Sequence, residues 1–397
     1  MSPRIYLDNA ATTPLDPRVR EAMRPYFEAE FGNPSSLHRE GRAAREAVEA
    51  ARCHVAGLVN AAADEVVFTG GGTEANNLAL SGMVAANAGK SMQIVTTAIE
   101  HPAVMETCRA LRRLLNVTVT CLGVNGDGQV DPDDLRKALR PDCRLVSIMA
   151  ANNVTGVLQP ITALAEITHA RGALFHTDAV QAVGKLPIDM RQENIDMLTL
   201  SAHKLHGPKG VGALVVRRRE LLAPIVHGGG QEHGLRSGTE NVAAIVGFGE
   251  AARLAACERG EETIRLVDLR ERVIDGVLHT IPGAYLIGHR FRRLPGHACF
   301  GFAGLEGEAI TLMLALDEAG IAVSTGSACS THKSSEPSYV LKAMGFDPFR
   351  ARGALRITLG RQNTAAEVAA LLEALPAIVA RLRPISQRSA RVQGVTA

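Results

Sequence analysis

A chain of 397 residues exceeds what one hydrophobic core usually organises, so two domains are expected. Its 43 basic and 41 acidic side chains nearly cancel, which excludes a general nucleic-acid-binding field, and no apolar run approaches the length of a membrane span. Seven cysteines stand singly without a CxxC pair, and the opening MSPRIYLDNAATT has no apolar signal segment. Both features favour a reducing, cytoplasmic setting over a disulfide framework or a zinc knuckle.

In chain order, IYLDNAATT reads as an N-terminal strand, and GRAAREAVEAARCHVAGLV as an amphipathic helix. Short β-branched runs then recur at EVVFTG, MQIVTT, VTVTCL, CRLVSIMA, ALFHTD, IDMLTLSAH and VGALVV, separated by glycine-bearing turns and helical stretches such as ITALAEITHARG. That alternation predicts an α/β fold with a mostly parallel sheet, whose sites gather at the carboxyl ends of its strands. Composition shifts near residue 259, where ERGEETIRLVDLRERVIDGVL predicts a long helix leading to a smaller α/β domain. The expected division is a large domain over 16–259, a small domain from 1–15 and 260–380, and a frayed polar tail over 381–397.

The chemistry-bearing residues follow the strands. In FTGGGTEANN, a strand runs into three glycines and a helix start, so the amides around Gly72 and the Thr73 hydroxyl form either a phosphate seat or a structural turn. Asp178 follows one apolar strand and Lys204 the next. A carboxylate beside an amine suits pyridoxal phosphate, where the acid keeps the pyridine nitrogen protonated and the amine binds the carbonyl carbon. The alternative is a surface ion pair. Lys209, within GPKG, fits a turn better. His101 precedes Pro102 at a strand-to-helix turn, where it either caps the turn or lies over a flat ring. His203, next to Lys204, is placed to donate to a phosphate. A metal reading would gather His101, Asp178, His203 and Cys329, although no pair has compact ligand spacing. Cys329 is unusual in lying in the polar run VSTGSACSTHKSSEPS, since free cysteines are ordinarily buried.

Taken together, YLDNAATTPLD, FGNPSSLH, FTGGGTEANNLAL, TTAIEHPAV, NNVTGVLQPI, HTDAVQ, SAHKLHGPKGVG, LRSGTENV, STGSACS and LRITLGR resemble, in order, the motifs of cysteine desulfurases of the NifS/IscS group. These are fold-type I, class V pyridoxal-phosphate enzymes, and the resemblance runs from about residue 5 to 375. It implies conversion of L-cysteine to L-alanine, with the sulfur held as a persulfide on Cys329. The sulfur then passes to an iron–sulfur scaffold or another acceptor protein.

The resemblance also implies roles. Lys204 would bind the cofactor and remove the Cα proton, Asp178 would pair with the pyridine nitrogen, and Gln181 would donate to the phenolic oxygen. His101 would stack on the ring and relay protons. Thr73, Ser201 and His203 would hold the phosphate, joined by Thr239 from the second subunit of a homodimer. Asn153 and Arg356 would receive the substrate carboxylate, for which a guanidinium is apt. No resident metal is implied, though Cys329 is the residue that would ligate a transferred iron–sulfur cluster. Neither a membrane nor stable nucleic-acid binding is expected. A selenocysteine lyase or aminotransferase would keep Lys204 and Asp178 without needing Cys329 as a sulfur carrier. A non-catalytic sulfur-transfer scaffold would need none of the three groups Lys204, Asp178 and Arg356. The chain departs from the family at Val154, where glutamate is common, at Gly70, where serine is common, and in the length of CSTHKSSEPS. Val154 is expected to change polarity beside the substrate.

Overall fold

The computed structural model describes residues 4–115, 117–326 and 336–392. Cys329 and its loop lie outside the described residues. The strands are β1 (Ile5–Tyr6), β2 (Val66–Thr69), β3 (Met92–Thr97), β4 (Val117–Leu122), β5 (Cys143–Ser147), β6 (Leu174–Asp178), β7 (Met197–Ser201), β8 (Gly212–Val216), β9 (Ala284–Leu286), β10 (His297–Phe302), β11 (Ile321–Ala322), β12 (Ser324–Thr325) and β13 (Leu355–Thr358).

The seven apolar runs read from the sequence all enter one sheet, in the order β2-β8-β7-β6-β5-β3-β4. Most of their residues are buried because helices cover both faces, as a sheet of crossover-connected strands requires. Only β8 runs antiparallel, to both β2 and β7, so those two strands point the same way and end on the same edge as β3, β5 and β6. The β2–β8–β7 corner is tight. A Cβ on Gly212 would come within 2.7 Å of both the Gly71 carbonyl carbon and the Leu200 oxygen. Gly71, with φ of +150°, occupies backbone space that other residues rarely adopt. The chain thus turns sharply from β2 into the helix Gly72–Ala86.

A smaller antiparallel sheet, β12-β13-β10-β9, packs Phe300, Phe302, Leu355 and Ile357 against Leu371 and Leu375 of the C-terminal helix. The N-terminal strand β1 pairs with β11, and Asp8 bridges to Thr358, which joins the N-terminal segment to this sheet. The helix expected near residue 259 begins earlier, at Val242, and runs unbroken to Thr280. Its first half buries Ala244, Phe248 and Ala251 in the large core, and its second half buries Leu266, Leu269 and Val273 in the small one. Between them lies a stretch around 256–265 with little burial, so the compositional shift marks the middle of a rod rather than its start. The described part of the tail is helical. Ala365–Val392 is one helix despite Pro376 and Pro384. Each proline removes one backbone hydrogen bond, while Val368, Leu371, Leu375 and Val379 keep that helix packed on the small core.

Candidate functional site

The edge shared by the ends of β2, β3, β6 and β7 opens into a cavity of about 310 Å³. Gly72, Thr73, His101, Asn153, Asp178, Gln181, Ser201, His203 and Lys204 all line it, so the structure brings together nine residues singled out in sequence. Asp178 is the last residue of β6 and Ser201 the last of β7, its sheet neighbour. Lys204 ends the 3₁₀ turn that follows β7.

Asp178 is 5% exposed and held from two sides. Its Oδ2 accepts from Asn76 Nδ2 at 2.7 Å and its Oδ1 from the Val180 N–H at 3.0 Å. Asn76 escaped the sequence reading. It lies one helical turn beyond Gly72, on the same face, which is the signal that would have found it. Lys204 Nζ donates to the carbonyls of Ala10 at 2.5 Å and Ala11 at 2.6 Å, so the N-terminal segment reaches over to orient the amine. Gln181 Nε2 donates to the same Ala10 oxygen at 2.9 Å, and its Oε1 accepts from Lys185 Nζ at 3.3 Å. A carbonyl oxygen can only accept, so Ala10 fixes which end of the Gln181 amide it faces and leaves Oε1 toward Lys185. Burial, with Lys204 and Arg356 nearby, pushes the Lys185 ammonium down to about 7.

His101 takes the capping position and also faces the cavity. It caps the helix Pro102–Leu114, its Nδ1 accepting from the Ala103 N–H at 3.1 Å, and its ring lines the cavity. With Nδ1 an acceptor, the proton of the neutral ring sits on Nε2. Glu100, just before it, is fully buried and was not singled out in sequence. Its Oε1 accepts from the Met149 N–H at 3.0 Å and Thr97 Oγ1 at 2.7 Å, tying β3 to the segment after β5. Burial pushes its carboxyl up to about 8, assisted by the charge of Asp178. The native state therefore keeps a proton that the unfolded chain releases, and stability falls as pH rises from the ordinary carboxylate range to about 8. Glu100→Gln is neutral throughout and can accept the same two bonds. In thermal denaturation across that range it is expected to match the parent near pH ~5 and exceed it at pH ~8.5. A decline as steep as the parent's would mean that Glu100 is not the group responsible.

At the other end of the cavity, Gly70, Gly71, Gly72, Thr73, Ser201 and His203 border an opening of about 590 Å³, together with Lys209. Lys209, read from sequence as a turn residue, thus stands at this rim. Burial and the charges of Lys204, Lys209 and Lys185 push His203 down to about 4, leaving it neutral at neutral pH, and its Nδ1 lies 3.1 Å from Thr12 Oγ1. Thr239 does not line the cavity or its opening. It is exposed on a loop anchored by two ion pairs, Arg52–Glu232 at 2.7 Å and Arg236–Glu74 at 2.8 Å. The Gly70 N–H donates to the same Glu74 carboxylate, and a Cβ on Gly70 would lie 2.7 Å from its Oε2. A serine here would therefore require Glu74 to shift.

Arg356, on β13, is 1% exposed and sits beside the cavity rather than in its lining, with Nη1 donating to the Asn153 carbonyl at 2.9 Å. Val154 does not line the cavity. It is buried at 4% in an apolar cluster with Ile99, Met149, Ile287 and Leu341 that joins the two sheets, and its carbonyl lies 3.0 Å from His297 Nε2. The other six cysteines divide evenly. Cys108, Cys143 and Cys299 are buried, with burial raising their thiols to about 12, 11 and 12, but Cys53, Cys121 and Cys257 are exposed. Among the described residues, no group of three or more His, Cys, Asp or Glu side chains is arranged to hold a metal ion.

An amine, a buried carboxylate, a neutral imidazole and a glycine- and hydroxyl-lined helix start form a donor set that fits pyridoxal phosphate. The buried Asn76 Oδ1, without a hydrogen-bond partner among the described residues, is one further polar group left for a bound molecule.

The class-V aminotransferase family matches residues 5–371. The chain belongs to that family. It is 50% identical over 385 residues to a cysteine desulfurase of Cereibacter sphaeroides, covering 96% of this chain and 97% of the relative. It is 47% identical over 386 residues to the cysteine desulfurase IscS of Dictyoglomus turgidum, covering 97% of each. Among solved structures, a NifS-like protein superposes with a TM-score of 0.88 at 37% identity, covering 96% of this chain and all of the other. A NifS-like protein from Rickettsia africae gives 0.85 at 32% identity, covering 95% and 99%.

Proposed function

We propose that the protein is a pyridoxal-phosphate-dependent cysteine desulfurase that converts L-cysteine to L-alanine and carries the released sulfur on Cys329. The observation that supports this most is the convergence of Lys204, Asp178, Gln181 and His101 on one cavity, with Arg356 beside it. Bound there, the cofactor would supply an electron sink for the substrate carbanion. Lys204 would hold it and, once released, take the Cα proton at Nζ. Asp178, kept in place by Asn76 and Val180, would stabilise a protonated pyridine nitrogen. The Nε2 face of His101 would pass a proton between the substrate thiol and Cys329, whose thiolate attacks the substrate sulfur. A selenocysteine lyase or aminotransferase would need the cavity but no sulfur-carrying cysteine.

Anaerobic incubation with ³⁵S-labelled L-cysteine, followed by alanine analysis and peptide mass mapping, tests this reading. Alanine equal to the sulfur bound, with that sulfur on the peptide containing Cys329, is the expected result. Alanine formed without protein-bound sulfur would favour the lyase reading.

The active unit is a homodimer in which Thr239 of one subunit completes the phosphate end of its neighbour's site. The open rim at Gly70–Thr73 and the anchored, exposed Thr239 loop support this. Sedimentation at micromolar concentration is expected to give twice the chain mass, and Thr239→Val to weaken cofactor retention about tenfold through one lost phosphate hydrogen bond. A fully active monomer would refute it. The persulfide sulfur passes to an iron–sulfur scaffold or other acceptor protein in the cytoplasm. No helix of the described residues is long and apolar enough to cross a membrane.

A further inference from the structure

Arg356 presents a problem that its proposed role does not solve. Its guanidinium is 1% exposed, and a buried cation without a counter-ion is costly. If its task is to receive a substrate carboxylate, something must neutralise it when no substrate is bound. The neighbouring bases Lys185 and His297 cannot, since neither carries negative charge in any state, and burial keeps the Tyr6 hydroxyl and the Cys299 thiol, also near Arg356, protonated and neutral. Asp8 can. Its Oδ1 accepts from Arg356 Nη2 at 2.7 Å, and the Asp8 side chain is 18% exposed. The Asp8 backbone is fixed by its bridge to Thr358 and by Tyr6, whose hydroxyl donates to the Asp8 carbonyl at 3.0 Å.

The contact is one-pointed. Asp8 meets Nη2 alone, Nη1 is taken by the Asn153 carbonyl, and Nε is buried without a partner among the described residues. A guanidinium binds a carboxylate best through two parallel N–H bonds. An arriving carboxylate that engages Nε and Nη2 together would outcompete the single bond to Asp8.

We infer that Asp8 is a positioning residue acting through Arg356: a resident carboxylate that holds and neutralises the guanidinium at rest and gives way to the substrate's carboxylate. This rests on the reading of Arg356 as the carboxylate receiver. It makes the segment just after β1, which bridges to Thr358 of the small sheet, part of the substrate site as well.

The test uses the full-length, cofactor-loaded protein and acetate, a carboxylate that cannot react. Thermal midpoints are measured in chloride and in acetate at equal ionic strength for the parent, Asp8→Asn, and Asp8→Asn combined with Arg356→Gln. In chloride, Asp8→Asn is expected to unfold below the parent. Acetate should raise its midpoint by roughly 3 °C or more while moving the parent and the double variant by less than about 1 °C. If Asp8→Asn is recovered folded only in acetate, that supports the inference equally. The inference is overturned if acetate fails to restore Asp8→Asn, if Asp8→Asn behaves as the parent does, if it folds in neither salt, or if acetate stabilises the double variant as strongly. None of these readings depends on turnover, so a protein inactive on L-cysteine could still pass the test, and an active one could fail it.

Discussion

Lys204→Ala is expected to lose turnover of L-cysteine by about four orders of magnitude or more while remaining folded. The size of the loss follows from the two tasks assigned to one amine, holding the cofactor and moving the Cα proton. Among the described residues, no other lysine is placed to take them over. Lys209 stands at the outer rim of the phosphate end, and Lys185 lies behind Gln181, donating to its amide. Folding should survive because Lys204 is only half-buried and its deletion leaves two carbonyls, of Ala10 and Ala11, short of one donor. That costs about 1–3 kcal/mol, within the stability of a chain this size. Borohydride reduction of the parent should fix the cofactor to the peptide containing Lys204, and circular dichroism of the variant should match the parent. Normal turnover by the variant, or an adduct on Lys209, would displace the assignment.

Cys329→Ser is expected to abolish release of alanine and sulfide together, by about 10³-fold or more, with the cofactor's absorbance and its response to L-cysteine unchanged. A serine oxygen is close in size but cannot hold a transferable sulfur, so the substitution tests sulfur chemistry rather than packing. The other cysteines provide two kinds of control. Cys108, Cys143 and Cys299 are buried with raised thiol pKa values and should resist both alkylation and sulfuration. Cys53, Cys121 and Cys257 are exposed and should alkylate without acquiring sulfur, because none lines the cavity. Extra sulfur on one of these three in place of Cys329 would move the carrier role to it, and parent-rate alanine release by Cys329→Ser would make Cys329 a bystander and favour a selenocysteine-lyase chemistry.

Most of the large sheet could be read from local pattern. Seven β-branched runs bounded by glycine turns specify strands wherever a sheet is covered on both faces, and the candidate site residues follow those strands directly. Asp178, Ser201 and Lys204 could be placed in this way because a carboxyl strand end is a position along the chain, defined by a few neighbouring residues. His101 could be placed too, since Pro102 marks the helix start that it caps. The long helix Val242–Thr280 was only half legible. Its first half is so thoroughly buried that no polar face marks its start, whereas the charged middle announces itself in composition.

By itself, then, the order of residues determined the class of fold, the strand ends that carry the site and the chemical types gathered there. Each of these depends on periodicity and on contacts a few residues apart. What only the tertiary structure decided are the long-range partners. The Ala10 and Ala11 carbonyls meet Lys204 across nearly two hundred residues, Asn76 reaches Asp178, and Asp8 meets Arg356 from the opposite end of the chain. Val154 likewise became a packing residue only because two sheets close on it. Such pairings are set by how the sheets dock and by the cost of leaving buried polar groups unmatched, and neither leaves a local signature in sequence.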